Sequence, residues 1–255
     1  MNVTEYLQKW SVSYRDDMLG NIMPFWLKHG LDLRNGGVYT CLDRDGSLID
    51  TTKSVWFQGR FAFTCSYAYN HIEQNPEWLA AAKSTIDFIE QHCFDSDGRM
   101  FFEVTASGEP LRKRRYVFSE TFAAIAMAEY AIASGEREYA EKALKLFKDI
   151  QRFLNTPGVL EPKYWNTVQS KGHSIVMILI NTASRIRAAI ADPALDKQID
   201  DSIALLQKDF MHPEFNALLE TVGSNGEFID TINGRIINPG HCIETSWFIL
   251  EEAKY

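Results

Sequence analysis

The stretch FSETFAAIAMAEYAIASGEREYAEKALKLFKDIQRFL, residues 118–154, sets two unlike helices end to end. In its second half, 137–154, Tyr139, Ala143, Leu146, Phe147, Ile150 and Leu154 fall on one stripe and charges fill the rest. That is the pattern of a helix with one wet side. The first half, 118–133, is apolar or small nearly all round, which predicts a helix buried on most sides. Only Ser134-Gly135-Glu136 separates them. Working outward, 3–28, 77–93 and 194–210 are one-sided, whereas 55–70, 173–190 and 241–250 are apolar on most sides. The order is outer then inner, repeated along the whole chain.

Connection lengths alternate as well. Inner-to-outer links are short, at 73–76, 134–136 and 191–193, while outer-to-inner links run over 31–53, 95–116, 155–172 and 211–239. Three long links carry strand-like alternation around turn signals: Asp43-Arg44-Asp45-Gly46, Ala106-Ser107-Gly108-Glu109 and Ser224-Asn225-Gly226-Glu227. With antiparallel helix hairpins, the long loops gather at one end, where every inner helix begins. The pattern predicts an all-α toroid of outer/inner helix pairs with short β-hairpins in its long loops. Two unrelated helical bundles would not explain the regular loop lengths. No linker divides the chain, so residues 1–255 read as one domain.

Composition narrows the function classes. Acidic residues number 34 against 26 basic ones, a net charge of −8, which argues against nucleic acid and anionic membranes. No apolar run approaches the ~18 residues that span a bilayer, and no signal peptide is visible at the N-terminus. The widely spaced Cys41, Cys65, Cys93 and Cys242 contain no Cys-x-x-Cys pair and read as reduced thiols of a cytoplasmic protein. The basic cluster 112–115 reads as a solvated loop or a phosphate contact. No His-x-x-x-His, Cys/His cluster or repeated Asp supports a metal, and no glycine-rich cradle supports a cofactor.

Long loops over the starts of buried helices form a mouth, where ligand sites usually lie. Polar residues in those first turns need a reason, since burying them unpaired costs about 1–3 kcal/mol each. Trp56 and Arg60 share a face, an aromatic plate beside a guanidinium that suits a sugar, or else a structural Arg paired with a carboxylate. Tyr116 and Glu120 open the next inner helix, as ligand contacts or as a cap and inter-helix ion pair. His173, with Met177 one turn on, reads as a ligand contact or a helix cap. Asn238-Pro239 reads as a helix start. His241 and Glu244 behind it sit three apart and can touch, giving either a proton-transfer histidine with its carboxylate or a structural pair closing the core.

The strings GGVYTCLDRDGSLIDTTKSVWFQGRFAFT (36–64), YVFSETFAAIAMAEY (116–130) and NPGHCIETSWFIL (238–250) resemble the N-acylglucosamine 2-epimerase family, which includes cellobiose 2-epimerases and mannose-type aldose–ketose isomerases. The resemblance covers nearly the whole chain and implies an (α/α)6 barrel of twelve helices. About eight are legible here, so the chain is expected to lack the last helix pairs, with a second histidine, and to be impaired. It further implies that His241 moves the proton at C2 of the opened sugar and that Glu244 supports it. Arg60 would bind the carbonyl oxygen and Trp56 would line the sugar. His173 and Met177 fall where family members vary their substrate contacts, and Tyr116, Glu120 and Asn238 are expected from their places at the inner-helix starts to add to them. A small sugar is the implied partner, with no metal or redox cofactor, and pairing into a homodimer is expected. Interconversion of N-acetylglucosamine and N-acetylmannosamine is the expected activity. Cellobiose epimerisation and mannose isomerisation are the alternatives within the family. Outside it stand a glycoside hydrolase, which needs two carboxyl groups about 5–9.5 Å apart with Glu120 and Glu244 as candidates, and a non-catalytic sugar-binding remnant.

Overall fold

The computed structural model describes residues 2–114, 116–160 and 168–255, which fall into two compact units, Met1–Arg114 and Arg115–Tyr255.

In the first unit, helix α1 (Val3–Asp17) starts at a reciprocal cap. The Glu5 N–H donates to Asn2 Oδ1 at 2.9 Å and the Asn2 N–H to Glu5 Oε2 at 3.0 Å. A wide turn, Met18–Ile22, carries it into α2 (Met23–His29). The stripe expected to pack along 3–28 is not buried in α1: Val3, Leu7, Val12 and Tyr14 are exposed, and burial begins only at Met23. The sequence shows that a stripe exists, but packing needs an opposing surface.

Helices α3 (Val55–His71) and α4 (Pro76–His92) form the inner/outer hairpin. Inner α3 buries small residues, Gly59, Ala62, Cys65, Ser66 and Ala68, and so lets its partner approach closely. Outer α4 contributes Trp78, Ile86, Phe88 and Ile89, each of which stabilises by roughly 1.5–3 kcal/mol when fully buried. Asn75 caps α4 and Pro76 opens it.

The long links of this unit hold the expected hairpins, Cys41–Leu42 with Leu48–Asp50 and Phe101–Val104 with Pro110–Lys113. Gly46 in the first turn has φ 87°, and a Cβ there would collide with the His29 ring. Lys53 pins the two links together from a fully buried position. Its ammonium donates to Asp32 Oδ2 at 2.8 Å, Gly36 O at 2.7 Å and Ala106 O at 2.9 Å, over the face of Phe88. Burial pushes the Asp32 carboxyl up, but bonds from Lys53, Asn35 and Arg34 outweigh it and hold the group well below the usual carboxylate range.

The second unit repeats the hairpin. Inner α5 (Phe118–Ser134) is buried without interruption from Ser119 to Ala131, and outer α6 (Arg137–Asn155) buries Tyr139, Ala143, Leu146, Phe147 and Ile150. Phe153 rather than the expected Leu154 completes that stripe. Gly135 at φ 75° ends α5 in the left-handed conformation that a β-carbon disfavours. Inner α7 (His173–Ala189) packs on α5, on α8 (Pro193–Leu205) and on α9 (Pro239–Glu252).

The third expected hairpin is only half present. The turn at Gly223–Glu227 forms, with Gly226 N–H donating to Gly223 O at 3.0 Å. Its leading strand, Thr221–Gly223, pairs instead with Ser170–Gly172, some fifty residues earlier in sequence. Local alternation does not reveal a partner that far away.

Candidate functional site

His241 owes its position to the start of α9. Asn238 caps that helix, its Oδ1 accepting the His241 N–H at 3.3 Å, and Pro239 occupies the first turn where no N–H is needed. The imidazole is half-buried, and its Nδ1 lies 3.0 and 2.9 Å from the two carboxylate oxygens of Glu220. Nε2 has no partner among the described residues.

His173 is the first residue of α7, which follows Gly172 without a side-chain cap, and it is buried, 1% exposed. Its backbone N–H donates to the Glu220 carbonyl at 3.0 Å and its Nδ1 lies 3.6 Å from Glu220 Oε2. Nε2 meets the Thr245 hydroxyl at 2.9 Å. The two imidazole rings are 6.0 Å apart.

Burial raises the Glu220 carboxyl, but the neighbouring His173 and the hydrogen-bonded His241 outweigh it and leave the group below its ordinary value. Glu220 is thus an ionised, acceptor-only group at neutral pH. In the neutral ring of His241 the proton therefore sits on Nδ1, which leaves the lone pair on Nε2. A half-buried imidazole so arranged has the geometry that general-base chemistry requires. Beside it, burial and the Glu220 charge raise the Cys242 thiol, so it stays protonated.

The structure corrects the pairing expected from spacing. The carboxylate on His241 is Glu220, not Glu244, which is half-buried and makes no hydrogen bond or ion pair among the described residues. Helical side chains lean toward the helix N-terminus, which carries the His241 ring away from Glu244 and toward the loop that holds Glu220. The sequence did contain a signal: Glu220 stands as a lone carboxylate in the apolar run Leu218-Leu219-Glu220-Thr221-Val222. Thr245 was marked only by its place one turn after His241.

The other candidate residues are placed as follows. His173 joins the cluster, and Met177 is buried one turn beyond it on α7. Glu120 is fully buried on α5, and Tyr116 is half-buried with its ring 6.1 Å from Phe118. In the first unit, Arg60 lines a cavity of about 360 Å³ with Trp26, Tyr39, Phe57 and Phe61. Trp56 packs edge-on against Phe102, centroids 5.2 Å apart. The aromatic rings beside the guanidinium in that cavity are therefore neighbours that spacing did not mark. Gln58 shapes the cavity wall by holding Val38 from both sides, accepting its N–H at 2.9 Å and donating to its carbonyl at 2.6 Å.

Among the described residues, His173, Glu220 and His241 could also present ligand atoms to a metal, all within 4.8 Å of one another. Such an ion would take the place of the proton between His241 and Glu220.

Comparison with known proteins adds the family. The family described as N-acylglucosamine 2-epimerase (GlcNAc 2-epimerase) matches residues 37–254. The N-acylglucosamine 2-epimerase of Bos taurus is 30% identical over 242 residues, which cover 92% of this chain and 57% of that protein. The cellobiose 2-epimerase of Dictyoglomus turgidum is 24% identical over 260 residues, 92% of this chain and 63% of that protein. The solved structure of cellobiose 2-epimerase from Bacillus thermoamylovorans matches 97% of this chain and 67% of its own with a TM-score of 0.86 at 21% identity. That likeness bears out the fold class read from the helix alternation, the α/α toroid of outer and inner helices. The chain spans about three-fifths of the length of the curated relatives it matches.

Proposed function

The chain belongs to the N-acylglucosamine 2-epimerase family, and from that premise we propose that it interconverts N-acetylglucosamine and N-acetylmannosamine at C2 of the ring-opened sugar. The observation that carries this reading is the His241 imidazole, whose Nδ1 is held by an ionised Glu220 while Nε2 has no partner among the described residues. The N-acetylated pair is preferred because the bovine relative that acts on an N-acylglucosamine is 30% identical, against 24% for the cellobiose enzyme.

In this reading Nε2 removes the C2 proton once ring opening has made C1 a carbonyl. The C–H electron pair moves into the C1–C2 bond and charge collects on the C1 oxygen. The imidazolium that forms is stabilised by the Glu220 carboxylate. A proton delivered to the opposite face of C2 completes the inversion. Arg60, in a cavity rich in aromatic side chains, is the candidate for the carbonyl oxygen, and Trp56, Tyr116, Glu120, Met177 and Asn238 remain candidate substrate contacts. The same reading places the protein in cytoplasmic amino-sugar metabolism, with a small sugar as its partner, no metal or redox cofactor, and a homodimer as its assembly. Its four cysteines stand unpaired, and no helix among the described residues is long and apolar enough to cross a membrane.

The test is loss of the C2 proton signal of N-acetylmannosamine in D2O, followed by NMR. Washout by this chain that falls about 10²–10⁴-fold in His241→Asn is expected for a general base. Washout at the wild-type rate in the variant, or none in the wild type, overturns the reading.

A further inference from the structure

Beyond His241, the second unit holds a closed run of polar groups drawn from three segments distant in sequence. Glu220 comes from the loop after α8, His173 from the start of α7, and Thr245 from α9, one turn past His241 itself. The run begins at His241 Nδ1, passes through both Glu220 oxygens to His173 Nδ1, leaves His173 at Nε2 and ends on the Thr245 hydroxyl. It therefore returns to the helix that carries the proposed base.

Glu220 is anchored at every point where it could drift. Its N–H donates to the Ile236 carbonyl at 3.1 Å and its own carbonyl accepts the His173 N–H at 3.0 Å. The next residues, Thr221–Gly223, are held in a strand pair against Ser170–Gly172. His173 is 1% exposed, with the Phe210 ring 5.8 Å from its own, so it is shielded from solvent and from any ligand that arrives through solvent. The acceptor-only carboxylate 3.6 Å from His173 Nδ1 favours the proton on that nitrogen, which leaves Nε2 to accept from the Thr245 hydroxyl at 2.9 Å. The carboxylate thus orients His241 through hydrogen bonds and His173 through its nearby charge.

Resting on the function proposed above, we propose that Glu220 is the positioning residue of the His241 base, with His173 and Thr245 as its buried support. The carboxylate selects the Nδ1–H tautomer of His241 and so makes Nε2 the atom that takes the C2 proton. Without an acceptor at Nδ1, an imidazole carries its proton on either nitrogen, and the population with the proton on Nε2 is inert as a base. His173 acts through Glu220, not on the sugar.

The tautomer can be read without any turnover. Long-range ¹H–¹⁵N spectra of this chain with labelled histidine should show neutral His241 as Nδ1–H. In Glu220→Leu it should become a mixture, and C2 washout should fall roughly 10–100-fold, as for other groups that orient a histidine. Glu220→Gln provides a folded alternative, because its amide offers a donor as well as an acceptor and should also end the selection. Thr245→Val should leave His173 Nε2 without its donor and slow washout by a smaller factor, and Thr245→Ser should restore it. A merely structural role would lower stability while leaving His241 as Nδ1–H. That tautomer in either folded Glu220 variant, with washout at the wild-type rate, overturns the proposal. Loss of the tautomer in the variants with no washout in the wild type supports the positioning role and overturns the epimerase reading instead.

Discussion

Lys53 in the first unit and His241 in the second each lean on one carboxylate, and the two differ in what remains unused. Lys53 is fully buried, and its ammonium is committed to Asp32, Gly36 and Ala106. His241 is half-buried, and after Glu220 has taken Nδ1 one ring nitrogen is left over. A polar group with every donor satisfied away from water can only hold parts together. One held by half of its atoms and open at the other half can hold a proton for something else. The two sites use similar residues and distances, and only the accounting of unused atoms separates structure from chemistry.

Breaking the sealed site should produce the largest change in stability. Lys53→Met leaves Asp32 charged, buried and without its cation, which should cost about 3–5 kcal/mol in urea unfolding. A cost below about 1 kcal/mol would mean the network is not sealed. Adding Asp32→Leu should recover part of the loss, since no orphaned charge remains. Recovery should stop short of complete, because Asp32 also holds the backbone of Arg34 and Asn35.

Acid sharpens the contrast. The fold lowers the Asp32 pKa, so the stability it contributes is complete above the unfolded value near 3.8 and is lost as pH falls below it. Unfolding midpoints measured between about pH 5 and 2.5 should drop in the wild type and flatten in Asp32→Asn; equal slopes would rule out the depressed carboxyl. Glu220 shifts in the same direction from an ordinary value of 4.5, so its share also disappears on acidification.

The smallest effect belongs to the helix start that presents His241. Asn238→Ala removes the cap on α9 and should cost roughly 0.5–2 kcal/mol in the same unfolding measurement. A neutral result would show that Pro239 alone suffices to begin the helix.

Much of the scaffold was legible from local pattern. A helix apolar on all sides beside one with a charged face is a statement about burial, and α5 and α6 behave as their patterns require. Turn chemistry was equally readable at Gly46 and at the Asn238-Pro239 start, because those preferences arise within a few residues. The candidate site was legible only in part. His241 stood out as a histidine in the first turn of an apolar stretch, although the helix it opens buries only Thr245 and Phe248 and exposes Ile243, Trp247 and Leu250; its partner was misassigned to Glu244 because spacing reports neighbours along one helix and not across a loop. The exposed stripe of α1 and the pairing of Thr221–Gly223 with Ser170–Gly172 were hidden for the same reason.

By itself the sequence determined the helices, the deep burial of α5 and the one-sided face of α6, the tight turns and the histidine that begins α9, since each follows from side-chain periodicity or from backbone preferences over one or two turns; it did not determine the burial of α1 or α9, whose apolar side chains stay largely exposed. Only the tertiary structure decided that Glu220, His173 and Thr245 meet behind that histidine. Which nitrogen of His241 carries the proton depends on a carboxylate 21 residues away, and that distance closes only when the loop, the strand pair and two helix starts are packed together.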